Sequence, residues 1–287
     1  MKKSLRFPLM VLMGAALAGV LLFLIYRDVD RAAGVETYHE AAELAGVPDL
    51  EKLLIPAPQP TPTPAPAPAE SGPAGAQSAP TQEPEPSPTP APPQDSVFYF
   101  RALEDVDLAA LRAYSPEVLG WIAIPGVLSY PLMRGEDNSF YLNHTWNGTA
   151  SAVGAIFMDY RSNADLGDFN TMIYGHRTLG RAMFGSLAQY SSQDFWAAHP
   201  DVYLVTDEGI ARYRIYAAYE AELTSATYQN QFSSDASKEN FVNHGLEQSV
   251  IDAGAAPDLQ GRVITLSTCT NTGHSTRWVV QAFRAEG

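Results

Sequence analysis

The chain has a single cysteine, Cys269, among 287 residues. One thiol cannot form an internal disulfide, so the fold is no disulfide-stapled scaffold even in a compartment that would permit one. Positive charge is scarce as well: 18 Lys and Arg stand against 32 Asp and Glu, for a formal net charge of −14. Between positions 96 and 287 the one lysine is Lys238. Without a basic patch, electrostatic binding of nucleic acid or of an anionic membrane surface is excluded. Zinc is not expected, because there is no second cysteine and no HExxH string. Asp159, Asp165 and Asp168 gather near one loop but lack EF-hand spacing and its glycine, so they read as solvated loop charges and no cofactor is expected. No internal repeat is evident.

The N-terminal third is too biased in composition to build a core. Residues 7–26 form an uncharged apolar run of the length needed to cross ~30 Å of hydrocarbon as a helix. Lys2, Lys3 and Arg6 precede it, whereas Arg27, Asp28, Asp30 and Arg31 after it sum to zero. This asymmetry predicts a single-pass signal anchor within residues 1–34, with a cytoplasmic N-terminus and the rest of the chain extracellular. A cleaved signal peptide is the competing reading, disfavoured because the run continues past its small residues through Leu21 to Ile25. Residues 35–55 read as an amphipathic juxtamembrane helical segment interrupted at Pro48. Residues 56–95 are dominated by Pro, Ala, Thr, Ser and Glu, a composition that favours polyproline II and makes a semi-rigid extracellular spacer reaching on the order of 100 Å. A PxxP-type ligand segment is the alternative.

The globular domain is expected over residues 96–287. Apolar spacing predicts a helix over 98–114, another over 182–198 and a third over 237–251. Short strands bounded by turn residues are expected at 120–124, 129–133, 152–158, 170–174, 202–206, 211–222, 262–268 and 277–284. This pattern reads as a mainly β domain, an antiparallel sheet or closed barrel with few helices.

Cys269 ends the strand-like run Thr265-Leu266-Ser267-Thr268-Cys269, and Arg277 follows eight residues on. A cysteine nucleophile needs a neighbour that raises its thiolate fraction, usually histidine. Of six histidines, His176 is the best placed, because it follows the strand expected at 170–174. His274 lies in a polar loop near Cys269 and suits gating better than proton transfer. His39 precedes the proline-rich segment, and His144, His199 and His244 fall in helix-like or turn contexts. Arg277 opens the last strand, beside the cysteine strand in a presumed hairpin, where its guanidinium could stabilise an oxyanion.

Several separated blocks carry a resemblance. Leu119 to Pro125, Tyr130-Pro131, Asp137 to Leu142, Gly154 to Asp159, Asn170 to His176, Met183 to Leu187, then Thr265 to Cys269 with Arg277, stand in the order found in the sortases of Gram-positive bacteria. Within them the sequence is most similar to class B. The resemblance covers about residues 98–283 and implies an eight-stranded sortase-type β-barrel with N-terminal helices and an added helix before the cysteine-bearing strand. It implies a cysteine transpeptidase that cleaves a C-terminal sorting signal of NPxTx or xPxTG type after threonine and transfers the protein to a cell-wall amine. Pilin joining through a lysine is the alternative acceptor chemistry, and a non-catalytic surface scaffold is the reading from another class. By the resemblance Cys269 is the nucleophile, His176 the acid and base, and Arg277 the oxyanion partner. Ser267, Thr268, Asn170 and Tyr174, on the strands bearing the pair, are candidate substrate-binding residues. Implied partners are surface proteins or pilins with a sorting signal and a peptidoglycan-precursor amine, with the membrane contacted through residues 7–26. Two places after the cysteine, where some class B members carry an acidic residue, stands Asn271. No sorting signal of its own is read, so the chain is expected to be the enzyme and not its substrate.

Overall fold

The computed structural model describes residues 6–48, 94–178, 181–269 and 275–285. The proline-rich spacer expected over 56–95 falls almost wholly outside them, as does His274.

The chain opens with helix α1 (Arg6–Leu44). From Asp30 onward it docks on the barrel through Gly34, Tyr38 and Ala41, a buried stripe at helical spacing that buried Ala45 continues just past its end. Gly46 ends it with a left-handed φ of +66°: Val47 N–H donates to Ala42 O and Gly46 N–H to Glu43 O, the paired bonds of a Schellman cap. Among the described residues no helix is long and apolar enough to cross a membrane. The expected single-pass anchor, the membrane contact through residues 7–26 and the extracellular placement built on them are therefore corrected. α1 does not stop where its apolar run stops. It continues through Arg27, Asp28, Asp30, Arg31 and Glu36 as one helix and gives its second half to the barrel.

The helix expected over 98–114 is two, α2 (Gln94–Leu103) and α3 (Leu108–Arg112), because Asp107 starts a new one by accepting a hydrogen bond from Ala110 N–H. Strands β1 (Val118–Ile124) and β2 (Leu128–Met133) form a hairpin about Gly126, whose φ of +71° needs no Cβ to accommodate. Then come β3 (Ile156–Met158), β4 (Asn170–His176), a 3-10 helix (Phe184–Ser191), α4 (Gln193–Ala198), β5 (Asp201–Thr206), β6 (Gly209–Glu222), α5 (Asp235–Gln248), β7 (Val263–Cys269) and β8 (Thr276–Arg284). The helix expected over 182–198 breaks at Ser192, which caps α4 through Phe195 N–H.

The eight strands close into a barrel in the order β1-β2-β3-β4-β7-β8-β6-β5. The fold is thus the mainly β, eight-stranded barrel the resemblance implied. It is not wholly antiparallel: β2 with β3 and β4 with β7 run parallel, and such pairs need long crossovers. The first crossover is residues 134–155; the second carries the chain from β4 through β5, β6 and α5 to β7. Ile173, Ile264, Leu266, Val280 and Ala282 belong to the main core, while α5 covers a smaller cluster of Tyr216, Tyr219, Phe241, Val263 and Val279 on the outer face.

Candidate active site

The parallel pairing of β4 with β7 sets His176 opposite Cys269 at the carboxyl ends of both strands. Adjacent strands lie about 4.8 Å apart, and residues in register on parallel strands share a face. β8 lies on the other side of β7, with Val279 opposite Ser267. Two residues further along from that pair stand Arg277 and Cys269. The three residues singled out from the sequence therefore come from three consecutive strands at one end of the barrel.

His176 lies inside β4, which runs two residues beyond the expected strand, and its side chain is 5% exposed. A carbonyl can only accept, so Nε2–H donates to Leu142 O and Nδ1 is left as the ring's proton acceptor. Burial pushes the imidazole pKa below its ordinary value, against the opposing effect of the Leu142 carbonyl. The ring also lies against Gly154, where an added Cβ would fall 2.6 Å from Cδ2. Gly175 is equally confined, with an added Cβ 2.7 Å from the Phe184 ring, so β4 reaches its last residue only by packing bare backbone on the 3-10 helix.

Around the pair, Ser267 is 1% exposed and its hydroxyl lies 3.0 Å from that of Tyr228. Thr268 is equally buried and accepts from Trp278 N–H at 3.0 Å, tying β7 to β8 one residue from each of Cys269 and Arg277. Arg277 is half-buried and donates to Thr276 O. Tyr174, two residues before His176, donates to Asp159 at 3.1 Å. Burial acts to raise the Asp159 pKa, but hydrogen bonds and charge from Arg161, 2.6 Å away, hold it below the usual carboxylate range. Asn170 stands apart from the others. It opens β4, six residues and roughly 20 Å from His176, is fully buried, and bonds Thr265 and Gln229 O.

The remaining described histidines are placed elsewhere. His39 is exposed on α1, His144 stacks on Phe140, His199 bonds Pro125 O, and His244 meets the edge of Tyr219. Behind the site, on the reverse side of the same strands, a cleft of about 280 Å³ is lined by Arg177, Thr268, Thr276 and Trp278, the immediate neighbours of the three candidates, together with Glu220. Among the described residues no group of three His, Cys, Asp or Glu could hold a metal ion. Sequence reasoning missed the contacts of Leu142 O and Gly154 with the imidazole. An isolated glycine between Val153 and Ala155 was the available signal, since its φ is +64°.

The family model described as the sortase domain matches residues 124–285. Sortase B of Listeria monocytogenes is 31% identical over 166 residues, 57% of this chain and 67% of that protein. The 2.0 Å crystal structure of Staphylococcus aureus sortase B superposes with a TM-score of 0.62 at 26% identity, covering 68% of this chain and 93% of that one. A sortase B–substrate complex from the same organism gives 0.60 at 28% identity, covering 62% and 84%. With this barrel, and with His176 and Cys269 in register at its rim, the chain belongs to the sortase family, among its class B members, and is a sortase-type cysteine transpeptidase.

Proposed function

We propose that this enzyme cleaves a C-terminal sorting signal of NPxTx or xPxTG type after its threonine and transfers the upstream protein to a cell-wall amine. The Cys269 thiolate attacks the threonine carbonyl, the peptide C–N bond breaks, and His176 gives its proton to the leaving amine. The resulting thioester is attacked by the acceptor amine, which yields its proton to His176 as the thiolate departs. Arg277 stabilises the oxyanion in both steps. The register of His176 with Cys269 carries this reading.

Burial of His176 disfavours its charged form, so the imidazolium that must protonate the leaving amine is the minor species at neutral pH. The outer face shared by Tyr174, Ser267 and Tyr228 beside the pair supports an extended peptide lying along β4 and β7. The relative solved with a substrate supports a substrate site of the same kind here.

Incubation with peptides of both motif types should release the C-terminal fragment with the wild-type enzyme and not with Cys269→Ala. Retained cleavage by Cys269→Ala would remove the reading. Mass spectrometry of the second product separates a cell-wall amine from a pilin lysine as acceptor.

A further inference from the structure

His176 is set against a segment that α1 grips. Leu142, whose carbonyl accepts from the imidazole, and Gly154, which lies against Cδ2, both belong to the 134–155 crossover. The crossover folds back on itself, with Ala155 N–H donating to Tyr141 O and Ser151 N–H to Asn143 O, each at 2.9 Å. Helix α1 then holds it from outside at three heights. Asp30 accepts from Ala152 N–H at 3.0 Å, Thr37 O accepts from Trp146 Nε1–H at 2.8 Å, and the Tyr38 hydroxyl donates to Gly154 O at 2.6 Å. Gly34 permits this approach, because an added Cβ would fall 3.0 Å from Val153. Tyr38 is 4% exposed, and its burial raises the hydroxyl pKa and keeps it a donor.

We propose that Tyr38 is a positioning residue for His176: its hydroxyl fixes the Gly154 carbonyl, and through it the glycine surface on which the imidazole rests. α1 is thereby part of the proton-transfer geometry, although it precedes the residues matched by the family model. Besides donating to Leu142 O, the ring rests on a glycine with no side chain of its own to hold it. A small drift of Gly154 therefore passes directly to the ring. A displacement of about 1 Å at a catalytic group can cost up to ~100-fold in rate. The inference rests on the reading of His176 as the proton carrier.

The test is Tyr38→Phe, which keeps the ring and its packing and removes one hydroxyl. Tyr190→Phe serves as the matched control, since Tyr190 is fully buried and donates to His199 O at 2.7 Å rather than to the 134–155 crossover. Both variants should lose a few degrees of thermal midpoint, roughly the effect of one buried hydrogen bond. Tyr38→Phe should in addition lower kcat for sorting-peptide cleavage about tenfold with KM unchanged. It should also shift the His176 ring resonance, while Tyr190→Phe leaves both at wild-type values. Equal kcat and equal ring resonances in the two variants would overturn the proposal and leave Tyr38 merely structural. Turnover by His176→Ala would instead overturn the reading of His176 itself, so the two failures are distinguishable.

Discussion

The two ends of the β4–β7 ladder carry the same kinds of residue on the same face and are built in opposite ways. At the amino end, Asn170, Thr265, Gln281 and Tyr216 form a buried chain of hydrogen bonds in which Thr265 donates to Asn170 Oδ1 at 2.7 Å, Gln281 to Thr265 at 3.3 Å, and Tyr216 to Gln281 at 3.0 Å. Every member has a partner, as buried polar groups require. At the carboxyl end, His176 is nearly as buried, but its ring donates to a loop carbonyl, Leu142 O, and burial pushes its pKa down. One end is saturated and stabilises the barrel. The other keeps a group with a displaced proton affinity in register with the chain's single cysteine, the arrangement that the proposed proton transfer at a nucleophile needs.

The largest expected effect that breaks this comparison is at the thiol. Cys269→Ala should lower transpeptidation by at least ~1000-fold with an unchanged thermal midpoint, because a residue that acts in a concerted set takes most of the rate with it. Peptide cleavage and calorimetry on the same preparation check both halves. His176→Asn should lower kcat/KM by about 100-fold to 10,000-fold, the usual worth of a positioned acid–base group; a loss under tenfold would place proton transfer elsewhere.

Gly154→Ala joins the two ends of the argument, since it strains the backbone and strikes the ring together. With φ at +64° and an added Cβ 2.7 Å from Tyr141 O, it should destabilise by about 2 kcal/mol and reduce kcat more than its stability loss explains. At the saturated end, Thr265→Val should leave Asn170 and Gln281 short of a partner and cost about 1–3 kcal/mol in denaturant unfolding. Its kcat and KM should stay within about twofold of wild type. A rise in KM there would support the expected substrate-binding role of Asn170.

The smallest effect is the pH dependence of stability. A histidine with a folded pKa below its unfolded value binds a proton less readily when folded, so its contribution is full above about pH 6.5 and is lost as pH falls below that. His199 shifts in the same direction through burial, so wild type must be compared with His176→Asn to isolate one group. The difference between their thermal midpoints should narrow from pH 7.5 to pH 5.

Much of this architecture is readable along the chain. Alternating apolar residues place β5, β6 and β8 to within two residues, and the blocks ending in His176 and Cys269 bring β4 and β7 to notice. Pairing direction is not readable in that way. Nothing local in Asn170–His176 or Val263–Cys269 distinguishes a parallel neighbour from an antiparallel one, because strand alternation is the same for both and crossovers set direction. The part played by α1 was hidden for a similar reason. Its apolar run draws a membrane reading, whereas the residues that matter to the site, Asp30, Gly34 and Tyr38, make contacts more than a hundred positions away. From the sequence Asn170 reads as a site residue because it shares a strand with His176. The register puts it at the other end, with its amide bonded to Gln229 O and Thr265.

Intact-mass and peptide-mapping mass spectrometry on enzyme trapped with a sorting peptide in the absence of acceptor amine tests the central claim most directly. The account predicts an acyl adduct on the peptide that contains Cys269, the chain's single cysteine, released on adding an amine and absent from Cys269→Ala. Amine-dependent product from Cys269→Ala, or an adduct mapped to any other residue, would contradict it.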